Sequence, residues 1–360
     1  MRRPYRFLLV LVATVAGTVI WLARSHSEPA YQGKPLSRWI AEIKAGDTDI
    51  PPNFSRSKAQ REAIEAMGLA ALPALLESVR PLNSHESWWS VTYRRYYVAS
   101  PASLRRHLPR PSWGLDQEMI FQNQVIADCQ SLRPQSEPLL VKTLRHPRPE
   151  VRATAAAALG GRTNTSPEVF SGLTNCLRDP NMEVRERIVD AISCFGPAAS
   201  NAVPAILENI LPHDPSAVFN HFEIEQALAA KALGKIGSGA VTAVPVLQAG
   251  IAQRTNSYLR ITSAIALWRI RQQAAETLPV LLQEFGASPP LTDRMILDCF
   301  REMGPEAAAA APRIVTLLDS AVGMHDDLYA SKRRLALETL WKIAPDVAAK
   351  QALKTARSRH

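Results

Sequence analysis

Between Ser87 and Gly114 the sequence concentrates side chains suited to gripping another molecule. Trp88, Trp89, Tyr93, Tyr96, Tyr97 and Trp113 stand among Arg94, Arg95, Arg105, Arg106 and Arg110. Aromatic rings beside guanidinium groups make hot spots for protein partners, and stacking platforms for sugars or bases. No acidic residue lies between Ser87 and Gly114. The guanidinium groups must therefore face water or pair with acids from elsewhere in the chain. Trp88, Trp89, Tyr93, Arg94, Arg95, Tyr96, Arg105 and Arg106 are the candidate partner-binding residues. A competing reading makes this stretch a long connection that packs its aromatics onto neighbouring helices, with Arg along the surface. The two readings part on whether Trp88, Trp89 and Trp113 are exposed.

Other chemistry-bearing residues are scattered. His213, Asp214, His221, His325, Asp326 and Asp327 match no ligand spacing on one helix face, and they fit turns and helix caps. Cys129, Cys176, Cys194 and Cys299 fit no metal spacing and read as small buried apolar residues inside helices. Cys176 and Cys194, on consecutive helices, leave one disulfide open. There is no G-x-S-x-G, no phosphate-binding Gly-rich loop and no nucleophile with a legible base. No catalytic residues, cofactor or metal ligands are assigned, and the chain is read as a non-enzyme.

The elements that would position these residues repeat. Gly196-Pro-Ala-Ala-Ser-Asn-Ala-Val-Pro204 recurs as Gly237-Ser-Gly-Ala-Val-Thr-Ala-Val-Pro245 and as Gly304-Pro-Glu-Ala-Ala-Ala-Ala-Ala-Pro312. Each phrase is a helix ending in Gly, an Ala-rich turn, then Pro opening a second helix. A period of roughly 33–41 residues means stacked units sharing an elongated core. Pro73, Pro138, Pro204, Pro245, Pro279 and Pro312 mark helix starts, where a missing N–H is tolerated. Arg152, Arg185, Arg260 and Arg333 occupy one position of the Ala-rich helices. They read as structural, each bonding a turn carbonyl or a carboxylate of its own or the next repeat; a basic ladder for an anion is the alternative.

Asp179-Pro-x-x-x-Val-Arg185, with its Ala-rich helix and Gly196, resembles a HEAT repeat. So does His146-Pro-Arg-Pro-Glu-Val-Arg152 with Leu159-Gly160, lacking only the Asp. The resemblance covers about 57–345. The opening Tyr31-x-Gly-Lys-x-Leu-x-x-Trp39, after one apolar segment, is similar to that of bacterial membrane-anchored HEAT-repeat proteins. The resemblance implies an all-α, armadillo-like α-solenoid of about seven helix pairs. It also implies a binding role and carries no catalytic residues over. Some HEAT-like proteins are lyases or DNA glycosylases, which keeps an enzyme as an alternative.

At the N-terminus, Arg2, Arg3 and Arg6 precede the uncharged run Phe7 to Ala23. This run reads as an uncleaved membrane anchor with residues 1–6 in the cytoplasm and the helices on the exported side. A cleaved secretory signal is the alternative. Residues 24–56 are a spacer and a capping helix, with Ser37 as its N-cap and Leu36, Trp39, Ile40 and Ile43 as its apolar stripe. Residues 57–356 form the solenoid, interrupted by the insertion at 81–117. From Tyr31 onward no sheet is expected. The net charge of +9 includes the three leading Arg and is too dilute to argue for nucleic acid. The sequence thus reads as a membrane-tethered, exported protein-interaction scaffold. Its alternative is an envelope glycan- or peptidoglycan-binding module working through the aromatic insertion.

Overall fold

Among the described residues a short hairpin comes first, and helices follow it. The computed structural model describes residues 28–46, 55–81, 97, 100–101, 108, 115–160, 166–209, 223–253, 256–287, 290–320 and 327–357. The chain divides into two units, 1–159 and 160–360.

In the first unit, β1 (Ala30–Tyr31) pairs antiparallel with β2 (Lys34–Pro35). Gln32 and Gly33 turn between them with φ of 51° and 74°. Two left-handed residues in a two-residue loop match the twist of a hairpin. This small ladder corrects the expectation of no sheet. Helix α1 (Leu36–Ala45) follows at once and buries Leu36, Trp39, Ile40 and Ile43. Its N-cap is Pro35, not Ser37. Ser37 lies inside the first turn, and its backbone N–H donates to the Glu28 carboxylate, which supplies the missing acceptor from outside the helix. The Lys34 ammonium sits 3.6 Å from the Trp39 ring centroid and pairs with Glu42. The Tyr31-to-Trp39 motif is thus a local clasp between hairpin and helix.

Helix α2 (Lys58–Met67) starts with a capping box between Ser57 and Gln60. After a 3₁₀ turn at Gly68–Ala71 comes α3 (Leu72–Glu77). Then follow α4 (Leu115–Ser131), α5 (Glu137–Thr143) and α6 (Pro149–Leu159). Ala153, Ala155, Ala156 and Ala158 of α6 are fully buried. Two ion pairs fasten α4: Lys44 to Glu118 at 3.2 Å and Arg56 to Asp128 at 2.6 Å. Burial pushes the Asp128 carboxyl up, against the lowering effect of Arg56.

The second unit alternates longer and shorter helices. The longer ones are α8 (Met182–Ser193), α10 (Glu223–Ile236), α12 (Ser257–Arg271), α14 (Pro290–Met303) and α16 (Asp327–Ile343). Each packs on the next. The others are α7 (Pro167–Asn175), α9 (Val203–Asn209), α11 (Val244–Ala252), α13 (Ala274–Glu284), α15 (Ala311–Ser320) and α17 (Pro345–Arg357). The recurring sequence phrase has one structure. Gly196, Gly237 and Gly304 take φ of 55°, 72° and 64°. Each opens a 3₁₀ segment that leads into α9, α11 or α15 with Pro at the second helical position.

Pro279 departs from the pattern: it lies inside α13, not at its start. Gln272, with φ of 55°, stands where Gly stands elsewhere, one residue closer to the Pro. The shortened turn continues as α-helix, so α13 begins at Ala274, ahead of the Pro. The cysteines also divide. Cys129 and Cys299 are buried, but Cys176 is half-buried and Cys194 exposed. Cys176 precedes α8 and Cys194 follows it. The 12 residues of α8 are about 18 Å long, far beyond disulfide reach. Among the described residues no helix is long and apolar enough to cross a membrane. The run at 7–23 lies outside the described residues.

Candidate functional site

The candidates in the aromatic insertion, Trp88, Trp89, Tyr93, Arg94, Arg95, Tyr96, Arg105 and Arg106, lie outside the described residues. So do His213, Asp214, His221, His325 and Asp326. Trp113 also lies outside them, and Tyr97, of the same cluster, is described and buried. Among the described residues, no three His, Cys, Asp or Glu side chains come together as a metal site.

The repeated Arg position is described, and its members serve the turns. Arg152 donates to the carbonyls of His146 at 2.8 Å and Pro147 at 2.9 Å. Arg185 donates to Asp179 O at 2.7 Å and Pro180 O at 3.2 Å, and pairs with Glu225 of α10 at 2.5 Å. Arg260 donates to Ile251 O at 3.1 Å and pairs with Glu284 of α13. Glu225 and Glu284 are almost fully buried, so these pairs hold carboxylates that could not stay charged in the core unpaired. Arg333 makes no such contact among the described residues, and neighbouring Lys332 pairs with Asp293 of α14 at 2.6 Å. The guanidinium groups of Arg152, Arg185 and Arg260 are thus engaged within the fold. Nearby, the Glu186 carboxyl is pushed up by burial and by the charges of Glu225 and Glu183.

Another site emerges in the second unit, between α7 and α9. An open groove of about 790 Å³ separates them. Pro167, Phe170, Ser171, Thr174, Asn175 and Arg178 line one wall. Their spacing of three and four residues marks one continuous stripe of α7 and the turn after it. The opposite wall is Ala198, Asn201, Ala205 and Glu208, from the 3₁₀ segment Gly196–Ala202 and α9. Phe195, 4% exposed, contributes an aromatic wall. It meets Phe170 edge to face, with centroids 6.2 Å apart. Arg178 pairs with Glu208 at 2.7 Å across the groove, where the turn Cys176–Arg178 meets α9.

The polar groups of the groove are partly engaged. The Thr174 hydroxyl bonds back to Phe170 O and Ser171 O at 3.1 Å each. The exposed carboxamides of Asn175 and Asn201 make no hydrogen bond among the described residues. Each offers a donor pair and an acceptor. The sequence reading did not single out this site. The stripe from Pro167 to Arg178 mixes apolar and polar residues on one helix face, as amphipathic helices ordinarily do.

Residues 136–221 match the family model for HEAT repeats. This stretch spans α5 to α9, and the groove lies wholly within it. Two solved structures are similar to the chain. One is the complex of CpcE and CpcF of phycocyanin lyase from Nostoc sp. PCC7120: 18% identity, TM-score 0.47, covering 76% of this chain and 96% of that one. The other is an engineered protein: 17% identity, TM-score 0.37, covering 89% of this chain and 82% of that one. Neither likeness transfers an activity. No curated protein matches the chain.

Proposed function

We propose that this protein is a non-catalytic scaffold that holds partner proteins on its HEAT-repeat helices. The observation that supports this is the open groove within the HEAT stretch. Two helix faces that could have packed on each other instead present spare carboxamides and an aromatic seat to solvent. Such a surface can receive a partner without change to the buried layer beneath it. The aromatic and Arg-rich insertion at 81–117 is a second contact surface in this reading, through Trp88, Trp89, Tyr93, Arg94, Arg95, Tyr96, Arg105 and Arg106. Residues 7–23 tether the scaffold to the membrane, with the repeats on the exported side.

Crosslinking in native membranes followed by affinity capture tests the scaffold. A discrete protein should be recovered with the full-length chain, and recovery of none would sink the reading. Topology is tested separately by fusing alkaline phosphatase after His360. An active fusion is expected; an inactive one, with a fluorescent cytoplasmic reporter at the same site, reverses the assignment.

A further inference from the structure

We infer that the groove between α7 and α9 takes one extended, uncharged segment of a partner protein, about five residues long, anchored by one apolar side chain. This deepens the scaffold reading and rests on it. Length comes first. The stripe from Pro167 to Arg178 covers about 17 Å at helical rise. An extended chain advances about 3.3 Å per residue, so roughly five residues span it. A volume of about 790 Å³ is ample for a strand with side chains.

Charge comes second. The lining carries one Arg and one Glu, and these neutralise each other across the groove. A polyanion would meet no excess of positive charge there, and a charged peptide no excess of opposite charge. An occupant without charge matches the site.

Hydrogen bonding comes third. Asn175 on one wall and Asn201 on the other each present a free donor and acceptor, the same pair that a peptide unit presents. An extended segment has every second peptide group turned to one side, so carboxamides on opposite walls can each serve one. The small Ala198 and Ala205 leave room for the backbone to approach. Phe170 and Phe195 make the seat for a single apolar side chain.

The test uses the full-length protein in detergent and a display library of random dodecapeptides. Uncharged peptides with one central Leu, Ile, Met or Phe should be enriched. A fluorescein-labelled selected peptide is then titrated by polarisation against wild type and two variants. Ala198→Trp fills the groove from an exposed position, and Asn175→Ala with Asn201→Ala removes both carboxamides. Each variant should keep the wild-type melting temperature and weaken the peptide at least about tenfold. Equal binding by both groove variants, enrichment of charged peptides only, or no enrichment would overturn the proposal. So would binding of labelled chitotriose that Ala198→Trp abolishes. The scaffold reading is judged separately. If Ala198→Trp still captures its crosslinked protein from native membranes, the groove assignment falls and the scaffold stands.

Discussion

Two helix seams in the second unit use related sequence and reach opposite outcomes. Between α10 and α12 the backbones nearly touch: a Cβ on Gly234 would lie 2.8 Å from Ala266 Cα. The facing residues are small or aliphatic, and Ala227, Ala230, Leu233, Ala266 and Leu267 are all buried. Between α7 and α9 the facing stripes stay apart around a groove. Ala198 and Ala205 are just as small, but they face Ser171, Asn175 and Arg178. Small residues close a seam only when the opposite face is also apolar. A polar stripe would have to surrender its water to close, at a cost of about 1–3 kcal/mol for each unpaired group. The repeat therefore makes a binding surface by changing the polarity of one stripe, with the fold unchanged.

The closed seam should break hardest. Leu267 is 1% exposed, and Leu267→Asp places an unpaired charge in the core. A loss of more than about 3 kcal/mol is expected, read as a large drop in the circular-dichroism melting temperature. An unchanged melting temperature would mean that the face of α12 is misassigned. Gly234→Val should come next. The added side chain meets Ala266 backbone, which cannot yield as a flexible side chain would. Overpacking of this kind costs about 1–3 kcal/mol. If urea midpoints show no loss, the α10–α12 contact is looser than described.

Much of the closed seam was legible from the chain alone. Ala-rich helices with a recurring Gly and Pro specify close packing, because each residue acts within its own turn: Gly196, Gly237 and Gly304 supply positive φ, and Pro204, Pro245 and Pro312 fit the first turn of a helix. Pro279 misled because the turn before it is one residue shorter and has Gln272 in the left-handed position, where sequence alone expects Gly. Ser37 misled because its competitor, Glu28, acts from nine residues away. The groove was not legible for a different reason. The stripe from Pro167 to Arg178 is an ordinary amphipathic face by sequence. Only the position of α9 decides whether water or a helix covers it.

A subtler effect falls on the seam between α8 and α10. Glu186 is half-buried, and its carboxyl is pushed up by burial and then by Glu225 and Glu183. A carboxyl with a raised folded pKa binds protons more tightly in the native state. Its ionisation therefore weakens the fold, fully above the folded pKa and not at all below the unfolded one near about 4.3. Glu186→Gln should raise the melting temperature slightly at pH 7, by about a degree, because solvent screens so much of the effect. The difference between variant and wild type should vanish as pH falls below about 4. A variant less stable than wild type at pH 7 would show that Glu186 is held by a favourable partner.

The smallest effect on stability should come from the open seam itself. Arg178 and Glu208 form a short ion pair, yet their side chains are 68% and 62% exposed. Exposed pairs contribute little once side-chain ordering and screening are counted, at most about 1 kcal/mol. Arg178→Ala should therefore leave the melting temperature within about two degrees of wild type. If the pair instead holds the two walls at a fixed separation, its loss would let α9 approach α7 and lower stability by a larger amount. The pair of single variants separates these cases. Arg178→Ala and Glu208→Ala with equal, small effects at low salt, vanishing at high salt, mean an ordinary surface pair. A large effect that survives high salt would make the ion pair the strut that keeps this seam open, and would remove polarity of the α7 stripe as the reason the two seams differ.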